Sequence, residues 1–391
     1  MMCQGFKAAG VASGLKKKQK KDLGIIYSDV QANVAGVFTK NKILAAPVIL
    51  DRERIKSGVC RAVIANSGNA NCCTGQQGMK DAEAMTKFAA SALEITEDLV
   101  LVASTGVIGQ PLSVEKIEKA VPGLVESMTP EGFSDFAEAI MTTDTVPKMI
   151  SMQGQLEGKT FTITGAVKGS GMIRPDMATM LCFVCSDIKA DSDVLRQMLL
   201  AGVERSFNRI TVDGDTSTND MVLLMANGLS GAVAKEPSHI ESFQSLLDNV
   251  LMDLAKMVVK DGEGATKFVE VAVKGAVSDQ DAYRVADTVA HSNLVKTALF
   301  GEDANWGRIL AAAGRANVPL EPDKVDIFFD DVLMVKDGMG CGDAAEAEAT
   351  KVLKKDEFTI LIDLHMGEGK TSVFTCDFSI DYVKINADYR S

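Results

Sequence analysis

Short runs of apolar residues alternate with longer amphipathic segments along this chain. Apolar runs, continuous or at every second position, favour β-strands, and apolar residues spaced three and four apart favour α-helices. The predicted strands are 23–29, 34–39, 61–68, 99–105, 160–169, 179–187, 220–228, 268–276, 324–331, 358–364 and 371–379. The predicted helices are 77–94, 114–127, 191–206, 238–259, 304–315 and 343–355. Because strands and helices do not alternate strictly, the pattern favours an α+β fold over a doubly wound parallel sheet.

The length and charge of the chain restrict the class of protein. At 391 residues the chain is too long for one simple core, which predicts two domains or two interlocked layers. A formal net charge of −12 disfavours nucleic-acid binding, because phosphate contacts need clustered Lys and Arg. The basic run KKKQKK at 16–21 is interpreted as a solvated loop, with a docking patch as the alternative.

Cysteine usage and hydropathy bear on the cellular compartment. Eight cysteines are scattered along the chain, unlike the dense disulfide frameworks of short secreted proteins. No apolar run reaches the length of a membrane span, and the first residues do not resemble a signal peptide. We therefore expect a cytoplasmic protein.

The sequence offers little for the commonest catalytic and metal-binding arrangements. It has three histidines, His239, His291 and His365, and none has the spacing of a zinc site. Cys182 and Cys185 have CxxC spacing inside an apolar strand, where their side chains would point to opposite faces and belong to the core. Neither a Walker A loop nor a GxSxG elbow is present.

A different kind of nucleophile remains available at residue 179. In KGSGMIRPDMATMLCFVCSD (168–187), Thr179 lies between a glycine-rich segment and an apolar strand. If the peptide bond before a Thr is cut, the new α-amine can activate the Thr hydroxyl without any His. In VASTGVIGQ (102–110), backbone N–H groups freed by Gly after a strand could bind an oxyanion. From these residues alone, a structural Thr and an ordinary strand-to-turn exit remain the alternatives.

Ordered motifs along nearly the whole chain extend this interpretation. They are NSGNANCCTG (66–75), STGVIG (104–109), MTTDTVPK (141–148), KGSGMIRPDMATML (168–181), ITVDGDTSTND (210–220), DGEGATKF (261–268), KTALFGEDANWGRI (296–309) and INADYRS (385–391). In sequence and order they resemble the ornithine acetyltransferase family, also called the glutamate N-acetyltransferase family.

The resemblance implies a self-processing enzyme of arginine biosynthesis. Cleavage between Ala178 and Thr179 would give an α chain, 1–178, and a β chain, 179–391, the latter including a smaller C-terminal lobe. Thr179 would take the acetyl group from N2-acetyl-L-ornithine and pass it to L-glutamate by a ping-pong route. The implied fold is N-terminal-nucleophile-like, with mixed β-sheet layers, helices on the outer faces and two lobes. The implied assembly is an α2β2 heterotetramer.

The resemblance also implies roles for individual residues. Thr105 and Gly106 match the oxyanion hole, and Thr179 matches the nucleophile. The matches to substrate-binding positions are Thr145, Lys168, Thr179, Glu263, Asn386 and Ser391. No cofactor or metal is implied, and the motifs leave open whether acetyl-CoA serves as a second acetyl donor.

Two other functions remain as alternatives. An N-terminal-nucleophile amidase or aminopeptidase would use the same nucleophile, with water replacing glutamate as acceptor. A non-catalytic metabolite-binding protein would use the glycine-rich loops to hold a small anion and keep Thr179 as a structural residue. Self-cleavage and glutamate-dependent release of ornithine distinguish the acetyltransferase from both.

Overall fold

The chain divides into two compact units. A computed structural model describes residues 2–174 and 180–388. The first unit comprises Met1–Asn208 and Asp215–Val258, and the second comprises Arg209–Gly214 and Val259–Ser391. The predicted boundary after residue 178 is a point of covalent cleavage. The division into compact units does not test it, so it stays a prediction.

The first unit combines strands with helices. Its described strands are β1 Phe6–Val11, β2 Leu23–Phe38, β3 Val59–Asn69, β4 Val100–Val107, β5 Lys148–Leu156, β6 Lys159–Lys168, β7 Leu181–Ser186 and β8 Met221–Ala226. Its described helices are α1 Ala46–Arg54, α2 Gly75–Leu93, α3 Val114–Glu126, α4 Phe133–Ile140, α5 Ser192–Arg205 and α6 Pro237–Lys260, whose last two residues fall in the second unit. These elements form one mixed sheet with helices packed on it.

Strand β2 organises this sheet. The strand order is β4-β3-β2-β8-β7-β6-β5, and β1 pairs with β2. The β3–β4 and β7–β8 pairs are parallel, and the other pairs are antiparallel. The β2–β3 register shifts between Tyr27 and Ala32, as in a β-bulge, which bends a strand. Strand β1 pairs with residues 23–28 of β2, β3 pairs with residues 23–27 and 32–33, and β8 pairs with residues 33–38.

Alternation along the strands fills two hydrophobic cores. Ile26 and Val63 face a core that contains Phe136 of α4 and also Phe183 of β7. Their chain neighbours on β2 and β3 face the other core, which contains apolar residues of α2 and α3. The phenyl rings of Phe136 and Phe183 meet edge to face, with centroids 5.2 Å apart. Opposite faces of one sheet are thus buried because successive side chains point in opposite directions.

The second unit contains its own sheet and core. Its described strands are β9 Phe268–Ala276, β10 Asp326–Phe329, β11 Val332–Lys336, β12 Met339–Gly340, β13 Glu357–Asp363 and β14 Gly369–Cys376, in the order β12-β11-β10-β13-β9-β14. Its described helices are α7 Asp279–Ala290, α8 Asn293–Phe300, α9 Trp306–Ala313, α10 Asp343–Leu353 and α11 Ile380–Ala387. To this core β9 contributes Val271, α7 contributes Val285, α9 contributes Ile309 and β13 contributes Ile360.

The structure confirms the predicted α+β class and corrects some element boundaries. Predicted strands 23–29 and 34–39 are one strand, β2, whose pairing with β3 continues past the register shift between Tyr27 and Ala32. The prediction missed the helices α1, α4, α7, α8 and α11 and the strands β1, β5, β11 and β12, none of which is longer than 12 residues. No helix in 2–174 or 180–388 is long and apolar enough to cross a membrane.

Replacing Phe136 with Ala should strongly destabilise the first unit. The side chain is fully buried against Phe183, so its removal leaves a cavity in the core. We expect the free energy of unfolding to fall by about 3–5 kcal/mol in urea titrations. Phe300→Ala, at a side chain that is 37% exposed, is the control and should change it by less than about 1 kcal/mol. Equal effects of the two changes would contradict the assigned core.

Candidate active site

Thr105 and Gly106 lie at the end of β4, where the parallel strand β3 also ends. Thr105 is opposite Ser67, and Gly106 is opposite Gly68. Gly106 has φ +134°, and a Cβ atom there would lie 2.3 Å from the Gly68 carbonyl carbon and 2.5 Å from the Asn69 nitrogen. Glycine is therefore required for the close approach of the two backbones.

The Thr105 hydroxyl is available at this strand end. The residue is buried, with 5% exposure, and its hydroxyl makes no hydrogen bond to another described residue. A buried hydroxyl beside a glycine backbone is suited to donating a hydrogen bond to an oxyanion. The predicted oxyanion-hole pair thus occupies a position where both residues can serve that role.

Buried amides hold three of the sequence motifs together. The Asn219 side chain, just before β8, donates hydrogen bonds to the carbonyl oxygens of Ala70 at 2.6 Å and Ser104 at 2.8 Å. The Ser104 hydroxyl donates to the Asn66 side-chain oxygen at 2.6 Å. Motifs 66–75, 104–109 and 210–220, which are distant in sequence, therefore meet at the end of β4.

A buried charge cluster surrounds the predicted substrate residue Lys168. Asp144 accepts hydrogen bonds from the Lys148 ammonium at 2.6 Å and from the Gly169 N–H at 2.7 Å. Lys168, at the end of β6, has its ammonium 3.4 Å from the Thr142 hydroxyl. Asp144, Lys148 and Lys168 are all at least nine-tenths buried. Thr145, another predicted substrate residue, follows Asp144 directly and is exposed.

The two ammonium groups keep Asp144 ionised. Burial alone would raise the pKa of the Asp144 carboxyl, but the charges of Lys148 and Lys168 outweigh it and hold the pKa below its usual value. One carboxylate therefore lies near two ammonium groups. An ammonium group is suited to pairing with the carboxylate of a small substrate.

Lys16 also reaches this region and is half-buried, whereas Lys17, Gln19 and Lys20 of the same basic run are exposed, as expected for a solvated loop. Its ammonium donates to the carbonyl oxygens of Lys21 at 3.0 Å and Met141 at 2.7 Å. Burial lowers the pKa of Lys16 to about 8, although Asp22 and Asp144 oppose the shift. The sequence showed only a basic run and carried no signal for the burial of its first member.

Asp220 is a second residue that the motifs did not single out. It is 1% exposed, and one of its carboxyl oxygens accepts a hydrogen bond from the Met180 N–H at 3.0 Å. Burial raises the pKa of Asp220 well above its usual value, and the positive charge of Lys168 opposes this. Since Asn219 contacts Ser104, two consecutive side chains connect the end of β4 to the start of β7.

In the second unit, two predicted substrate residues contact each other. The Asn386 side chain on α11 donates a hydrogen bond to the buried Glu263 carboxylate at 2.7 Å. The Ser379 hydroxyl, at the N-cap of α11, donates to the Gly264 carbonyl oxygen at 2.6 Å. The C-terminal motif and the DGEG motif are thus joined within the second unit.

Three of the predicted site residues are not placed by the structure. Ala178, Thr179 and Ser391 lie outside the described residues. The assignments of the nucleophile, the cleavage point and the last substrate contact therefore remain predictions.

Comparisons with known proteins give full-length similarity. The chain matches the model of the ArgJ family over residues 7–391. It is 53% identical over 393 residues to the arginine biosynthesis bifunctional protein ArgJ of Geobacter sulfurreducens, covering 100% of both chains. It is 47% identical over 398 residues to the glutamate N-acetyltransferase of Methanocaldococcus jannaschii, covering 99% of this chain and 97% of that protein.

A solved structure is similar to part of the chain. It is the crystal structure of the arginine biosynthesis bifunctional protein ArgJ from Bacillus halodurans, with 44% identity and a TM-score of 0.51. The alignment covers 97% of the solved chain and 52% of this one.

Replacing Asp144 with Asn should destabilise the protein in a pH-dependent way. The change leaves Lys148 and Lys168 buried without their carboxylate, which should reduce the free energy of unfolding by about 3–5 kcal/mol at pH 7. Because the folded-state pKa of Asp144 is lowered, its stabilisation is present above the unfolded pKa and is lost as pH falls through the folded value.

Urea titrations from pH 7 down to about pH 3 would test this expectation. The difference between wild type and Asp144→Asn should narrow as the pH falls. Asp98→Asn, at an exposed carboxylate, is the control and should follow the wild type at every pH. A difference that stays constant with pH would show that the Asp144 charge contributes nothing to stability.

Proposed function

Because the chain belongs to the ArgJ family, we propose that it transfers the acetyl group of N2-acetyl-L-ornithine to L-glutamate, giving L-ornithine and N-acetyl-L-glutamate. It is an acyltransferase of arginine biosynthesis. The main support for this function is sequence identity over essentially whole chains. It is 53% to a protein named arginine biosynthesis bifunctional protein ArgJ and 47% to a protein named glutamate N-acetyltransferase.

The catalytic nucleophile in this proposal is the hydroxyl of Thr179, freed by self-cleavage after Ala178. The new α-amine, with an ordinary pKa near 8, takes the hydroxyl proton.

Acetyl transfer then proceeds in two half-reactions. The Thr179 oxygen attacks the acetyl carbonyl of N-acetylornithine, ornithine leaves, and an acetyl ester remains on Thr179. The amine of glutamate attacks this ester by the reverse path, which gives ping-pong kinetics. The Thr105 hydroxyl and the Gly106 backbone hold the oxyanion in both halves.

Charged residues select the amino-acid substrates. Lys168 is buried at the end of β6, and its ammonium would bind the α-carboxylate that ornithine and glutamate share. The Glu263 carboxylate, held by Asn386, suits the side-chain ammonium of ornithine. Thr145, Asn386 and Ser391 complete the substrate contacts that the family motifs imply.

The proposed setting of the enzyme is the cytoplasm, as an α2β2 heterotetramer. Eight cysteines are free in the structure, which is compatible with a reducing compartment. The associated α and β chains would each keep strands of the same first-unit sheet, since β6 and β7 lie on either side of the cut and pair along their length. This pairing explains how the two pieces stay together after cleavage.

Replacing Thr179 with Ala should abolish both self-cleavage and acetyl transfer. Denaturing electrophoresis of the wild type should show two pieces, residues 1–178 and 179–391, and the variant should stay whole. Ornithine release from N-acetylornithine, measured with and without glutamate, should depend on glutamate in the wild type and be absent in the variant. Thr86→Ala, at a buried Thr on α2, is the control and should be cut and active. Cleavage of Thr179→Ala at the same bond would refute the assigned nucleophile.

Replacing Thr105 with Val should lower kcat with little change in KM. The valine fills the same space but cannot donate a hydrogen bond to the oxyanion, and losing one such donor typically reduces kcat by about 100-fold or more. Steady-state kinetics with N-acetylornithine and glutamate would measure the change. Thr86→Val is the matched control, since its hydroxyl bonds to the Glu83 carbonyl within α2. An unchanged kcat in Thr105→Val would show that the Thr105 hydroxyl does not stabilise the oxyanion.

A further inference from the structure

The segment that joins β1 to β2 contacts the strand end beside the predicted oxyanion hole. The buried Asp22 carboxylate fixes this segment, because it accepts the backbone N–H groups of Ser13 at 2.6 Å and Lys16 at 2.8 Å. A Cβ atom at Gly68 would lie 3.2 Å from Cγ of Lys16, so the Lys16 side chain lies over Gly68 at the end of β3. Gly68 is the residue that pairs with Gly106. The stem of Lys16 is therefore next to the predicted oxyanion-hole backbone.

The ammonium group of Lys16 lies near the predicted substrate residue Lys168. It donates to the Met141 carbonyl oxygen at 2.7 Å, and the Lys168 ammonium is 3.4 Å from the hydroxyl of the next residue, Thr142. Because the Cα atoms of consecutive residues are about 3.8 Å apart, the two ammonium groups contact neighbouring parts of one short segment. The charge of Lys168 also acts on the pKa of Lys16, as does that of Asp144. The side chain of Lys16 therefore extends from the end of β3 to the surroundings of Lys168.

One hydrogen-bond donor of the Lys16 ammonium is unused. A protonated Lys has three N–H groups, and two of them donate to the carbonyl oxygens of Lys21 and Met141. Within the described residues, the ammonium makes no further hydrogen bond and no ion pair. The nearby carboxylates are engaged, since Asp22 accepts two backbone N–H groups and Asp144 already has an ion-pair partner. A charge that is partly removed from water without such a partner is unfavourable, and an anionic ligand would supply one.

We propose that the Lys16 ammonium, together with Lys168, pairs with the α-carboxylate of N-acetylornithine and of glutamate. The proposal rests on the acetyl transfer proposed above. A carboxylate has two oxygens, and each can accept a hydrogen bond from a separate ammonium. In N-acetylornithine only two atoms, the amide nitrogen and Cα, separate the acetyl carbonyl carbon from the carboxylate carbon. A substrate whose acetyl oxygen is at Thr105 and Gly106 therefore has its carboxylate close to the strand end that Lys16 contacts. Lys16 thereby selects acetylated α-amino acids over acetylated amines.

The ionisation of Lys16 makes this pairing depend on pH. Burial lowers the pKa of Lys16 to about 8. The charges of Lys20 and Lys168 act in the same direction as burial, and those of Asp22 and Asp144 act in the opposite direction. Below this pKa the ammonium is protonated and can pair with a carboxylate, whereas the neutral amine above it has lost the charge. The contribution of Lys16 to substrate binding should therefore be lost as the pH rises through about 8.

Lys16→Met tests the pairing with two ligands that differ only in the carboxylate. The methionine keeps an unbranched side chain over Gly68 but has no ammonium. The assay follows ornithine release from N-acetylornithine and glutamate, with N-acetyl-1,4-diaminobutane, which is N-acetylornithine without its carboxylate, as a competitive inhibitor. We expect the KM values of both substrates to rise about 10-fold or more, kcat to change much less, and the inhibition constant to stay the same. Unchanged KM values, or an equal rise in the inhibition constant, would overturn the proposal.

Lys17→Met is the matched control. Lys17 follows Lys16 in the same basic run, but its side chain is exposed. This variant loses the same charge from the same segment, so its KM values and its inhibition constant should equal those of the wild type. An equal rise in KM in the two variants would mean that the charge of the segment as a whole attracts the substrates, which would overturn a specific pairing with Lys16.

A measurement on the wild type decides the case in which Lys16→Met does not fold. The ratio of KM for N-acetylornithine to the inhibition constant of N-acetyl-1,4-diaminobutane should increase as the pH rises through about 8. Only the first ligand has the carboxylate, and neither ligand changes its charge near this pH. A ratio that stays constant would overturn the proposal. A wild-type protein that transfers no acetyl group to glutamate would instead overturn the proposed function, which separates the two failures.

Discussion

The predicted site in the first unit depends on the hydrogen bonds that the Asn219 side-chain amide makes. Its two hydrogen bonds, to Ala70 and Ser104, fasten the segment before β8 to the ends of β3 and β4. The next residue, Asp220, bonds to the backbone of Met180 at the start of β7. Two consecutive side chains therefore fix the end of β4, which carries the predicted oxyanion-hole residues, with respect to the start of β7. Buried hydrogen bonds of this kind are expensive to break, because each partner would be left unsatisfied.

Buried charged residues determine the electrostatics of the same site. Asp144 and Asp220 are both buried, and the positive charge of Lys168 lowers the pKa of each. The net shifts of the two pKa values nevertheless have opposite directions. The difference is Lys148, whose ammonium contacts Asp144 at 2.6 Å and secures its negative charge. Asp220 has no such ion-pair partner among the described residues, so desolvation dominates. Ion pairing thus favours the charged form of Asp144, and burial favours the neutral form of Asp220.

Much of the fold was predictable from the sequence, and the reasons for the failures are physical. Long periodic segments such as α2 and α6, and the strand β9, were predicted within two residues because pattern and packing agree there. The polar interruption of β2 resembles a turn, and only pairing with β3 and β8 makes it a bulge within one strand. At the site, motif resemblance indicated Thr105, Lys168 and Glu263. It did not indicate Lys16 or Asp220, whose importance comes from burial and from partners distant in sequence.

Because of the close contact at Gly106, the same backbone atoms take part in strand pairing and in the proposed chemistry. A methyl group there would collide with the backbone of β3 at Gly68, so no point substitution can reposition the Gly106 backbone donor without also separating two paired strands. Anyone redesigning the enzyme for a bulkier acyl group would have to leave this strand end untouched.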